Sequence, residues 1–162
     1  MKRIYFSILL FLLFGNVLLA QNYSISVKSN FDLNRKENWN FSLRLNGLQN
    51  ITQGFALIFP PNTNVVPVQV LSGTKSFWLK KSDITPDSNN VIHWEKADSL
   101  LVFRFAPDVV FEGGILTVQL NLTNSRPGQA KGQLKWVRLQ PNGRPGALLS
   151  QAEIQFQQSV TR

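Results

Sequence analysis

Two stretches alternate apolar and polar residues without a break, and they constrain the fold more than any other feature of the chain. In residues 39–46, Trp39, Phe41, Leu43 and Leu45 fall on one side, and Asn40, Ser42, Arg44 and Asn46 on the other. In residues 116–123, Leu116, Val118, Leu120 and Leu122 alternate with Thr117, Gln119, Asn121 and Thr123. A period of two sends successive side chains to opposite faces of an extended strand, so each stretch predicts a strand with one face in a core. Shorter runs predict further strands at 23–28, 54–59, 65–71, 76–80, 91–96, 100–105, 133–139 and 153–157. Between them stand turn formers such as Asn46-Gly47, Pro60-Pro61-Asn62, Ser72-Gly73, Pro107-Asp108, Gly113-Gly114 and Pro141-Asn142-Gly143, residues that supply the backbone angles a reversal needs. Helical spacing has room only for a single turn at 147–152. Short strands at regular intervals, with no crossover helices, predict an all-β chain: an antiparallel β-sandwich or jelly roll of about nine strands in one domain.

The first twenty residues do not belong to that pattern. Met1-Lys2-Arg3 is basic, residues 4–13 are apolar except for Ser7, and Val17-Leu18-Leu19-Ala20 leads to Gln21. Charge, apolar run and small residue in that order predict a secretory signal peptide, residues 1–20, cut after Ala20. The run is short for a bilayer span of about 20 residues, and no later stretch approaches one, so residues 21–162 are expected to be exported without a transmembrane segment. The Ala20-Gln21 junction resembles signal peptides common in the Bacteroidetes.

Composition narrows the chemistry. The chain has no Cys and one His, which excludes disulfides, thiolate metal sites and a thiol nucleophile, and disfavours a His-rich metal site. Its formal charge is +8. Nucleic acid would suit that charge, but export argues against it.

The order of strands and turns in residues 40–73 resembles the front half of a cohesin-type domain. A strand closes on Leu48-Gln49-Asn50-Ile51, and a Gly-Phe-x-Leu-x-Phe strand follows at Gly54-Phe55-Ala56-Leu57-Ile58-Phe59. A corner at residues 60–64 then leads to a Val-rich strand ending on Gly73. In the back half, residues 98–105 and the Gly114-Ile115-Leu116 strand are similar to the family's later strands, as are the Pro127-Gly128 turn and a final apolar strand at 154–156. Pro60-Pro61 and Asn121 depart from the family's pattern. The resemblance spans residues 23–158 and implies a nine-stranded jelly roll that binds rather than reacts, as cohesins bind dockerins in polysaccharide-degrading assemblies.

Candidate functional residues follow from side-chain type and strand parity. His93-Trp94-Glu95 is the one place where imidazole and carboxylate lie close together, on one face if residues 91–96 form a strand. No nucleophile elbow, phosphate loop or zinc-protease motif accompanies it, so no catalytic residue is assigned and the chain is expected not to be an enzyme. Asp83 and Asp87 lack the spacing of a calcium loop, and no metal or other cofactor is expected. Sugar rings and protein partners both stack on exposed aromatic faces. Phe77 and Trp78 are adjacent, so one of them must face outward. Trp136 sits among Lys135, Val137 and Arg138, and residues 126–144 carry five cations and no carboxylate. Trp78, Trp136, Lys135 and Arg138 are therefore the expected contact residues, with Trp39 and Trp94 assigned to the core. These features predict an exported binding module that meets a protein or a glycan in surface or periplasmic assembly or polysaccharide use. The alternative is a structural or adhesive Ig-like subunit of a cell-envelope machine.

Overall fold

A computed structural model describes residues 22–30, 39–124 and 131–155. The expected export segment, residues 1–20, lies outside the described residues, as do Asp32, Glu37 and Arg126. Ten strands are described: β1 (Ser24–Asn30), β2 (Trp39–Asn46), β3 (Gly54–Ile58), β4 (Thr63–Ser72), β5 (Lys75–Lys81), β6 (Val91–Ala97), β7 (Leu100–Phe105), β8 (Ile115–Asn124), β9 (Lys131–Leu139) and β10 (Pro145–Gln155). Short 3-10 turns at Leu48–Asn50 and Glu112–Gly114 are the only described helices.

The strands form one continuous ladder in the order β1-β2-β8-β4-β5-β6-β7-β3-β9-β10. It folds over at β5, whose first half pairs with β4 (Phe77 opposite Val70) and whose second half pairs with β6 (Trp78 opposite Val91). The two halves of the ladder then face each other as the layers of a sandwich. The expected all-β sandwich is what forms, with one difference from an antiparallel jelly roll: β5 and β6 run parallel. Residues 82–90 make that parallel connection without a helix, and the chain has little distance to retrace because the two strands overlap over only four pairs, Trp78–Lys81 with Val91–Trp94. The segment 147–152, read as a possible helical turn, is instead part of β10. Its irregular pairing with β9, shifted between Pro145 and Leu148 and again before Ser150, blurs the period of two that would have marked it as a strand.

Alternation explains the core. The inward residues of β2 and β8 (Phe41, Leu43, Leu45, Leu116, Val118, Leu120) meet those of β3, β7 and β9 (Phe55, Leu57, Leu101, Phe103, Phe105, Leu134, Trp136) between the layers. Phe55 lies at the centre of the aromatic packing, 5.1 Å from Phe103 and 6.1 Å from Trp136 between ring centroids. At about 25 cal/mol per Å2 of apolar surface withdrawn from water, such buried aromatics dominate the stability of a sandwich. Pro67 interrupts β4, where a residue without an N–H cannot complete the ladder. The register with β8 slips by one residue there, between Pro67 and Gln69, as expected for a strand proline relieved by a bulge.

Candidate binding surface around Trp78

Trp78 occupies the point where β5 leaves one layer for the other. Phe77 points inward, 5% exposed, against Phe111, so the next side chain must point outward. Pairing with β4 ends at Phe77, so the indole has a flanking strand on the β6 side alone, and it is 78% exposed. Ser76 and Lys80, the other outward residues of β5, are exposed as well.

The backbone under the ring is held firmly. Trp78 N donates to Asn90 O at 2.9 Å, and Ser82 N donates to Trp94 O at 3.0 Å. These bonds fix both ends of the 82–90 connection to the strands it joins. Asn89 Nδ2 donates to Asp108 Oδ2 at 2.8 Å, tying this connection to the 106–111 loop. Lys75 Nζ donates to Asn89 O and lies 4.7 Å above the Phe77 ring. The two tied loops expose Ile84 and Val110. Sequence reasoning passed over both, although an isolated Ile in a Ser-Asp-Ile-Thr-Pro loop and a Val two residues past a Pro-Asp turn are candidates for apolar side chains without a strand face to bury them. A rigidly mounted indole can stack its face on an apolar or ring-shaped group and offer its N–H to an acceptor.

The other expected contact residues are placed differently. Trp136 is 0% exposed, packed edge-on against Tyr23 (centroids 5.6 Å apart, planes at 87°) and Phe55. It offers no ring to a partner, and its assignment as a contact residue is corrected to a core role. Its flanking charges suggested a surface, but Leu134 and Trp136 share the inward parity of β9. Lys135 and Arg138 are both exposed, yet three residues apart on a strand they fall on opposite faces. Lys135 points outward. Arg138, at the rim, donates from Nη2 to the Tyr23 hydroxyl at 2.7 Å. Lys135 and Arg138 therefore do not form one patch around Trp136. Trp94 is half-buried against the core, and Trp39 pairs opposite Leu122 in the ladder.

His93 and Glu95 share the outward face of β6, as parity predicts, but each is engaged elsewhere. His93 is 6% exposed rather than on an open face. Its Nδ1 lies 2.8 Å from Ile84 O; a carbonyl only accepts, so Nδ1 carries the proton and the ring clamps the connection down. Glu95 Oε1 accepts from Arg104 Nη2 at 2.7 Å. Among the described residues no three His, Asp or Glu side chains are grouped to hold a metal.

No family model matches the chain, and no curated protein matches it. Among solved structures it is similar to the collagen-binding domain from a Staphylococcus aureus adhesin, at 8% identity and a TM-score of 0.47, over 80% of this chain and 94% of that one.

Proposed function

We propose that this chain is an exported, non-enzymatic β-sandwich binding module that engages a protein or glycan partner through the surface around Trp78. The observation that carries this reading is the indole itself. Trp is a residue that folding normally buries, and here it is held open on a backbone pinned by hydrogen bonds. Exposed aromatic rings of this kind supply the anchor of many contact surfaces, with little entropy to lose on binding. Ile84 and Val110, on loops tied to the same corner, extend the apolar character. The engagement of His93 by Ile84 O and of Glu95 by Arg104 supports a binding role over catalysis by that pair. The basic-apolar start of the chain supports export, and the cohesin-type pattern of residues 23–158 supports a role in assembly or polysaccharide use.

The test is retention of a cell-envelope partner, or of an insoluble glycan from a panel, by residues 21–162 with and without Trp78→Ala. Loss of retention of one specific protein or glycan in the variant, with its thermal melt unchanged, is the expected result and identifies the partner class. Equal retention by both proteins refutes the Trp78 surface.

A further inference from the structure

The opposite layer carries a second feature, independent of Trp78. Four adjacent strands, β1-β2-β8-β4, contain not one Asp or Glu. Their outward positions carry Ser, Thr, Asn and Gln, the exposed cations Lys28 and Arg44, and apolar residues at Val66, Val68 and Leu71 of β4 and Ile115 of β8. The ladder register arranges them in rows that cross all four strands. Lys28 stands opposite Ser42, Ser42 opposite Gln119, and Gln119 opposite Gln69. Arg44 stands in the next row, between Ser26 and Thr117. That makes Lys28 and Arg44 diagonal neighbours, about 7–8 Å apart by strand geometry.

A shallow cavity of about 440 Å3 follows the first row, lined by Lys28, Ser42, Gln119, Asn121 and Val68 among others. Val68 is the extra residue of the Pro67 bulge, and its outward side chain forms part of the wall at the β4 end. The cavity thus crosses the strands rather than running along one of them. With strands about 4.8 Å apart, four of them span about 14 Å, a width suited to an extended chain.

We propose that this face binds an acidic glycan: a polysaccharide strand carrying carboxylate groups, laid across β1, β2, β8 and β4. Three features select it. Amides and hydroxyls both donate and accept, which matches the repeated hydroxyls of a sugar chain. Two neighbouring cations with no carboxylate on any of the four strands favour negative charge and impose no like-charge repulsion upon it. Among the described residues the exposed large apolar side chains of this face, Val66 and Val68, both stand on β4, so the row from Lys28 to Gln119 presents polar groups and no exposed aromatic or aliphatic anchor of the kind that usually holds a folded protein partner.

The test is affinity electrophoresis or calorimetry of the purified protein with alginate, a polyuronate, beside dextran as the neutral chain and poly-glutamate as the acidic peptide. The expected result is binding to alginate, weaker or absent with dextran and poly-glutamate. Lys28→Gln with Arg44→Gln should weaken alginate binding by roughly tenfold, the scale of losing charge-assisted hydrogen bonds. Lys135→Gln, on the other layer, should leave alginate binding within about twofold. Gln119→Ala, which keeps the net charge, should also weaken it, and thermal melts establish that each variant is folded. No binding to alginate overturns the proposal. So does equal loss with Lys135→Gln, which would mean attraction by net charge alone. Equal binding of poly-glutamate would reassign the face to acidic peptides. Loss with Trp78→Ala alone would move the glycan to the Trp78 surface, so this proposal and that of the Trp78 site fail separately.

Discussion

Replacing Trp136 tests the packing between the two layers more sharply than any other single change. The side chain is fully buried between Tyr23 and Phe55, and its Nε1–H has no hydrogen-bond partner among the described residues. Trp136→Ala removes the whole ring, and deletions of this kind cost about 3–5 kcal/mol. Trp136→Phe is different. It leaves a void of roughly 40 Å3, which costs about 1 kcal/mol at about 24 cal/mol per Å3. It also removes a buried donor without a partner, which relieves about 1–3 kcal/mol. The two effects are of similar size and opposite sign, so Trp136→Phe is expected within about 1 kcal/mol of the parent. Urea unfolding followed by circular dichroism measures both variants, with the midpoint shifting and the slope unchanged if the denatured state is unaffected. Trp136→Ala should lose more than half of the stability of a domain at the lower end of the usual range, about 5 kcal/mol. A Trp136→Ala loss below about 1 kcal/mol would refute the burial. A Trp136→Phe loss as large as that of Trp136→Ala would refute the reasoning about the unpaired N–H.

Other positions give independent checks. Gly54→Ala places a Cβ against Phe103 O, a backbone atom that cannot swing aside; a loss of about 3 kcal/mol or more is expected in the same unfolding assay. Ser72 Oγ donates to Ile115 O at 2.8 Å and accepts from Glu112 N at 2.7 Å, so Ser72→Ala should cost about 1–3 kcal/mol by stranding both backbone groups. Glu95→Ala leaves the Arg104 guanidinium, whose Nη1 already has no partner among the described residues, without its carboxylate. It should cost about 2–4 kcal/mol, more than Arg104→Met at the same site, because the stranded charge is the costly part. Trp78→Ala, at an exposed site, should change stability by no more than about 0.5 kcal/mol.

The sequence by itself determined the class of fold and most of the strands. In β2 the observed limits coincide with those read from alternation, because a strand buried on one face must repeat every two residues; in β7 they coincide with the short apolar run at 100–105, which is buried on both faces. The outward position of Trp78 was legible in the same way, from its neighbour Phe77, once either ring was committed to the core. The lack of carboxylates in this layer was legible too, as the absence of Asp and Glu from 39–46 and 116–123.

Only the tertiary structure decided which stretches became neighbours. Nothing local to β5 says that its two halves pair with different strands, or that it runs parallel to β6, because pairing is chosen by residues distant in the chain. Trp136 was read as a surface residue since its sequence neighbours are charged. Its burial depends on β3 and on Tyr23, more than a hundred residues away, closing over it. Likewise, Lys28, Ser42, Gln119 and Gln69 are scattered along the chain, and the ladder register alone sets them in one row. Period and parity are local consequences of backbone geometry, whereas surfaces are assembled across strands.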